Sequence, residues 1–148
     1  MSSIDPSFNP LLPISSRPMS LERILYIEDE DDIRMVVSMI LKNHGITVNG
    51  HACSQQAIDS AAQSVPDLIL LDISMPHKDG FQTLAELRQL PGYRNVPAVF
   101  MTAQLEPNAE TLAPYQPVSV IMKPFEPSGL KEELESILNT MNINNPGT

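Results

Sequence analysis

Leu68-Ile69-Leu70-Leu71 is an unbroken run of four aliphatic residues that closes on Asp72. Four aliphatic residues without alternation predict a strand buried on both faces, as in a parallel sheet covered by helices. Met75-Pro76 disfavours helix at Met75, and Asp79-Gly80 supplies a turn before the next helix. Other apolar runs also end on polar groups. Arg23–Ile27 leads into Glu28-Asp29, Val96–Thr102 ends on a hydroxyl, and Val118–Met122 leads into Lys123. Ile46–His51 is a weaker second strand.

Helical periodicity fills the intervals. Ile33, Val36, Val37, Ile40, Leu41 and His44 fall on one face, stopped by Gly45. Ser54 is placed to cap a helix with Ala57, Ile58, Ala61, Ala62 and Val65 inward. Phe81, Leu84, Leu87 and Leu90 line a third helix, which Pro91-Gly92 ends. Between Ala103 and Gln116 the pattern is poor. Pro107 can start a helix there, but Pro114 and Pro117 limit it to about two turns. Ser128 is placed to cap a last helix carrying Leu130, Leu134, Ile137, Leu138 and Met141. Strands alternating with helices five times predict an α/β fold with helices on both faces of a parallel sheet.

Composition narrows the classes. With 148 residues and 42% hydrophobic content, one domain with a core is expected. Residues 1–20 hold Pro6, Pro10, Pro13 and Pro18 among serines and read as a flexible arm; 21–142 form the domain and 143–148 a frayed tail. A net charge of −9 and a pI near 4.6 argue against direct nucleic-acid binding. No apolar run approaches membrane-spanning length, and the N-terminus lacks a signal-peptide pattern. A single cysteine, Cys53, excludes an internal disulfide and suits a reducing cytoplasm.

The polar strand ends carry the chemistry. In an open α/β sheet, ligands bind beyond the carboxyl ends of the strands. Glu28, Asp29 and Asp72 converge at that edge and repel one another unless a cation sits among them. A hard divalent ion held by carboxylate and carbonyl oxygens describes Mg²⁺. Thr102 and Lys123 offer the hydrogen bond and positive charge that a phosphoryl group on an aspartate would need.

Those residues resemble a family. Glu28-Asp29, the run Leu70-Leu71-Asp72-Ile73-Ser74-Met75-Pro76 with Asp79-Gly80, Met101-Thr102-Ala103 and Met122-Lys123-Pro124-Phe125 resemble the receiver domain of two-component response regulators, over about residues 22–141. The resemblance implies a flavodoxin-like (βα)₅ fold, a doubly wound parallel sheet of five strands in the order 2-1-3-4-5. It makes Asp72 the phosphoacceptor from a histidine kinase or phosphotransfer protein, and implies no enzyme activity beyond self-catalysed aspartyl phosphorylation and dephosphorylation. Asp29, Asp72 and the Ser74 backbone carbonyl would hold Mg²⁺, with Glu28 acting through water. Thr102 would meet the phosphoryl group, and Lys123 would pair first with the acids and then with phosphate. A cis peptide at Lys123–Pro124 is implied too. With no output domain after residue 141, a stand-alone receiver is expected, a monomer or weak dimer that signals to a separate protein partner without membrane insertion. Two departures are visible: Glu28 stands where Asp is commoner, and Val120 stands where many receivers carry a switching aromatic ring.

Competing readings fit less well. A phosphatase of the haloacid-dehalogenase type needs a second Asp two residues after the nucleophile, where this chain has Ser74, and its other metal acids follow the nucleophile. A calcium loop starting at Asp29 would have Arg34 at its sixth position and Ile40 at its twelfth. A receiver-like interaction module without phosphate chemistry is disfavoured by the complete set of site residues. His44, His51 and His77 lack metal-ligand spacing, Cys53 reads as a small residue at a helix start, and the methionines read as packing.

Overall fold

The computed structural model describes residues 21–103 and 106–144. The arm at 1–20, Gln104 and Leu105, and the last four residues of the tail lie outside them. Five strands form one sheet: β1 (Arg23–Ile27), β2 (Thr47–His51), β3 (Leu68–Asp72), β4 (Ala98–Thr102) and β5 (Val118–Met122). Every pairing is parallel, as the alternation predicted, and the order is β2-β1-β3-β4-β5, as the family resemblance implied. All five residues of β3 and of β4 are buried, which is why neither shows any polar alternation.

Two apolar layers enclose the sheet. On one side Ile24, Tyr26, Leu68, Leu70, Val99 and Met101 pack against α1 (Asp31–Asn43) and α5 (Leu130–Asn144). On the other, Leu25, Ile27, Ile69, Leu71 and Phe100 meet α2 (Ser54–Ala61) and α3 (Gly80–Leu87). The fourth helix, α4 (Ala109–Leu112), is a single turn with no fully buried residue, though Leu112 packs half-buried against the second layer; Asn108 caps it, and a 3-10 turn at Ala113–Tyr115 follows. The prolines thus hold this segment to about two turns, as the sequence suggested.

Several local readings need correction. Within α1 only Val37 and Leu41 are buried, whereas Val36 is 51% exposed; Met35 and Met39 are exposed as well rather than packed. The inward stripe of α1 is narrower than its apolar periodicity. The second helix ends at Ala61, leaving Ala62 and Val65 exposed. Ser54 does not cap it: Cys53 is the N-cap, and the buried Ser54 hydroxyl bonds Thr83 of α3 instead. Ser128 lies in a 3-10 turn ahead of α5, its hydroxyl donating to the Glu126 carboxylate at 3.0 Å. The last helix itself runs through Asn144, into the stretch expected as tail.

Two features set the loops around the sheet's carboxyl edge. Asp79 and Gln82 form a reciprocal capping box at the start of α3. The next residue, Gly80, donates its N–H to the Ile73 carbonyl at 2.8 Å. A Cβ at Gly80 would stand 2.5 Å from the Asp72 carbonyl oxygen and 2.9 Å from Ile73 Cα. The loop can fold onto β3 only because residue 80 has no side chain. Farther off, Arg88 joins three segments. Its guanidinium donates to the carbonyls of Tyr93 (2.9 Å), Val96, Tyr115 (3.0 Å) and Pro117 (2.9 Å). Burial lowers its pKa to about 10, yet four carbonyl acceptors compensate the buried charge. The Lys123–Pro124 peptide is cis, as implied, and Gln116–Pro117 is cis as well.

Gly80→Ala should therefore destabilise the protein by roughly 1–3 kcal/mol, because backbone atoms must move to admit the methyl group. Gly129→Ala, with nothing within 4 Å of its Cβ position, should be neutral or slightly stabilising. Urea unfolding of the two variants distinguishes these outcomes; equal stabilities would contradict the close-approach argument.

Candidate functional site

Parallel strands place their carboxyl ends along one edge, so residues distant in sequence meet there. The register aligns Ile27 with Leu71, which brings Glu28, just past β1, level with Asp72 at the end of β3. Carboxylate oxygens from Glu28, Asp29 and Asp72 all lie within 4.8 Å of one another. Glu28 is fully buried and Asp72 nearly so, while Asp29 is half-buried at the rim.

Lys123 ties the cluster together. Its Nζ lies 3.1 Å from Glu28 Oε1 and 3.4 Å from Asp72 Oδ2. Its own N–H donates to the Thr102 carbonyl at 2.7 Å, which fixes the start of the loop after β5. Remaining carboxylate lone pairs meet backbone donors: Ser74 N–H reaches Asp72 Oδ1 at 3.1 Å, and Glu30 N–H reaches Glu28 Oε2 at 3.3 Å. Thr102 is buried at the end of β4, beside Asp72 in the sheet order. The structure therefore brings together Glu28, Asp29, Asp72 and Lys123 by direct geometry. It places Thr102 at the same edge and Ser74, exposed, two residues beyond Asp72.

Burial and charge act against each other here. Burial is the largest influence on Glu28 and pushes its carboxyl up to about 7, against the lowering effect of the Lys123 hydrogen bond and charge. For Lys123 burial alone would lower the pKa, but the hydrogen bond and charge of Glu28, followed by those of Asp72, leave it raised. One ammonium does not fully compensate three carboxylates.

The donor set fits the implied Mg²⁺. It is all oxygen, carries up to three negative charges and opens to solvent on the Asp29 side. Two oxygens on one Mg²⁺ at ~2.1 Å are at most about 4.2 Å apart. Carboxylate oxygens within 4.8 Å of one another are close enough to share one such ion.

Residues the sequence reading passed over also shape this edge. Arg34, on α1, donates from Nη1 to the Glu28 carbonyl at 2.7 Å and from Nη2 to Asp31 Oδ1 at 2.6 Å. Nothing in the sequence marks a backbone carbonyl as its target; the one hint is a lone Arg two residues after the acidic run. Tyr26, two residues before Glu28 on β1, is fully buried with its hydroxyl oxygen lacking a hydrogen-bond partner. Its pKa is raised by burial first and then by the charges of Glu28 and Asp72. An apolar groove of about 590 Å³, lined by Ile33, Val36, Val37, Ala103, Pro124 and Phe125, adjoins Lys123.

The site makes metal-free stability depend on pH. Glu28 binds its proton more tightly in the folded state, with a pKa raised from 4.5 to about 7. Its contribution is fully present below the unfolded value and is lost as pH rises through the folded one. Thermal melts in chelator should thus show stability falling between about pH 5 and about pH 8, with a shallower fall for Glu28→Gln. A slope of the opposite sign, or one unchanged in the variant, would contradict this electrostatic account.

Comparison with known proteins matches this geometry. The sequence profile of the response regulator receiver domain matches residues 24–135. Response regulator Rre1 of Synechocystis sp. is 32% identical over 129 residues, covering 85% of this chain and 52% of that protein. The chain thus spans about half the length of that relative. Among solved structures, the Vibrio cholerae chemotaxis protein CheY4 superposes with a TM-score of 0.74 at 25% identity, over 80% of this chain and 99% of that one. The receiver domain of a sensor histidine kinase from Pseudomonas aeruginosa, solved with a magnesium ion in its active-site cleft, gives a TM-score of 0.69 at 28% identity, over 80% and 98%. With a matching family profile over most of its length, the strand order of the chemotaxis regulators and an acidic cluster at the sheet's carboxyl edge, the chain belongs to the response regulator receiver domain family.

Proposed function

We propose that Asp72 accepts a phosphoryl group from a phosphohistidine on a histidine kinase or phosphotransfer protein, in a Mg²⁺-dependent reaction, and that the phosphorylated domain signals to a separate protein partner. The observation that carries this reading is the convergence of Glu28, Asp29 and Asp72 around one lysine. An Asp72 oxygen attacks phosphorus, the P–N bond to the donor histidine breaks, and the imidazole nitrogen keeps the electron pair. Asp29, Asp72 and the Ser74 carbonyl would hold Mg²⁺, with Glu28 acting through water, and the ion would supply positive charge to offset that of the transferring group. Lys123, already 3.4 Å from Asp72 Oδ2, exchanges a carboxylate partner for a phosphoryl oxygen. Thr102, at the end of the neighbouring strand β4, supplies a hydroxyl to the phosphoryl group. On this reading the chain catalyses only its own phosphorylation and dephosphorylation. Exposed Met35, Val36 and Met39 on α1, with the apolar groove beside Lys123, supply contact area for the phosphodonor. No helix among the described residues is long and apolar enough to cross a membrane, which is compatible with a cytoplasmic protein.

Incubation with acetyl phosphate and Mg²⁺, followed by intact mass measurement, tests the chemistry. One added phosphate is expected for the wild type and none for Asp72→Asn, which keeps the shape but loses the nucleophile. Full labelling of that variant would move the acceptor elsewhere; catalytic release of phosphate from many esters would favour a phosphatase.

The readout is proposed to run through the segment after β4. Val120, paired with Phe100 across the sheet, has no ring to move, and a β-branched side chain is stiff about χ1. The rings near Thr102 come from elsewhere. Phe100, two residues before Thr102, lies 4.8 Å from Phe81 and 6.5 Å from Tyr115, and Phe81 lies 5.2 Å from Tyr115. Tyr115 is half-buried and follows a one-turn helix with no fully buried residue, whose core contact is the half-buried Leu112, so few core contacts hold this segment. Hydrogen exchange with and without beryllofluoride should change most between residues 104 and 116 and little around Val120. A change confined to β5 would contradict this route.

A further inference from the structure

Resting on the reading of the site as a Mg²⁺-dependent phosphoacceptor, we propose that Arg34 is a positioning residue for the metal-binding acids, acting through the Glu28 carbonyl. The regular ladders of β1 end at Ile27. Beyond that point the backbone must turn within three residues into α1 while presenting two carboxylates to the crevice. Glu28 N–H still reaches the β2 side, donating to the His51 carbonyl at 3.1 Å. The Glu28 carbonyl is taken by Arg34 Nη1 at 2.7 Å. The Arg34 amide donates to the Glu30 carbonyl at 3.0 Å, so side chain and backbone of one residue hold both ends of the Glu28-Asp29-Glu30 turn. Asp29, the most exposed of the three converging acids, sits in the middle of that turn.

Arg34 is itself held in place. Its side chain is only 22% exposed, and Nη2 bonds Asp31 Oδ1 at 2.6 Å. Its stem lies along Gly50 of β2, where a Cβ would meet Arg34 Cγ and Cδ at 3.6 Å. A planar guanidinium can hold a carbonyl and a carboxylate at once in fixed relative positions, which an ammonium does less well. Groups that orient metal ligands from behind typically change affinity 10- to 100-fold when removed.

A second effect opposes the first. The guanidinium is a positive charge beside a cation site, so its loss relieves repulsion. Positioning predicts weaker Mg²⁺ binding without the fork; simple charge repulsion predicts tighter binding without the charge. Arg34→Lys separates them, since it keeps the charge and loses the fork, whereas Arg34→Met loses both.

The test is Mg²⁺ titration of the full chain by calorimetry, with melting temperature in chelator measured in parallel. Positioning predicts Kd raised about 10-fold or more in both variants, with Arg34→Lys the milder. A merely structural role would lower the melting temperature and leave Kd unchanged. Unchanged Kd in Arg34→Lys, with unchanged or tighter binding in Arg34→Met, would overturn the proposal. Should Arg34→Met fail to fold, Arg34→Lys alone decides. Absence of Mg²⁺ binding by the wild type would instead remove the site reading, and the positioning role with it.

Discussion

One ammonium group shared between two carboxylates organises this molecule's functional edge. Lys123 reaches Glu28 and Asp72 from β5, two places along the sheet from the strand that carries Asp72. Like charges about 4.8 Å apart repel by on the order of 3 kcal/mol at an effective dielectric near 20, so three carboxylates without a cation would drive the edge apart or become protonated. Lys123 relieves part of that repulsion, while burial, opposed by the Lys123 hydrogen bond and charge, raises the pKa of Glu28. On the proposed reading, this acidic edge would receive a divalent cation and then a phosphoryl group. A single balance thereby links stability in the resting protein to chemistry in the loaded one.

The rest of the fold serves to hold that edge. Uniformly apolar β3 and β4 sit in the middle of the sheet, covered on both faces, and deliver Asp72 and Thr102 to the same end. Gly80 lets the loop after β3 press against the Asp72 backbone. Arg34 and the capping box of α3 fix the turns on either side. By contrast the α4 segment buries little and is held to the body mainly by the Tyr115 ring contacts and by Arg88. Full burial is thus concentrated in the central strands that carry the site and is absent from α4.

Much of this was legible in the sequence because strand burial leaves an unmistakable mark. Runs such as Leu68–Leu71 and Ala98–Met101 have no alternation, and each ends on the residue that matters. What was not legible depended on partners without sequence signatures. Ser54 and Ser128 look like helix caps, yet their hydroxyls bond Thr83 and Glu126. Val36 has the right period for burial, but the contact stripe of α1 runs through Ile33, Val37 and Leu41 and leaves Val36 exposed. Arg34 and Arg88 act on backbone carbonyls, which any residue carries. Nor does periodicity reveal that Tyr115 returns to meet Phe81 and Phe100.

The central claim is that the carboxylate drawn to Lys123 at the end of β3 is the group that is phosphorylated. It is tested most directly by trapping the product. After phosphorylation by a small phosphodonor with Mg²⁺, borohydride reduction cleaves an acyl phosphate and marks the carboxyl that carried it, and peptide mapping locates the mark. The account predicts a single mark at position 72. A mark at Glu28 or Asp29, or a phosphate that resists reduction and persists in alkali, would contradict it.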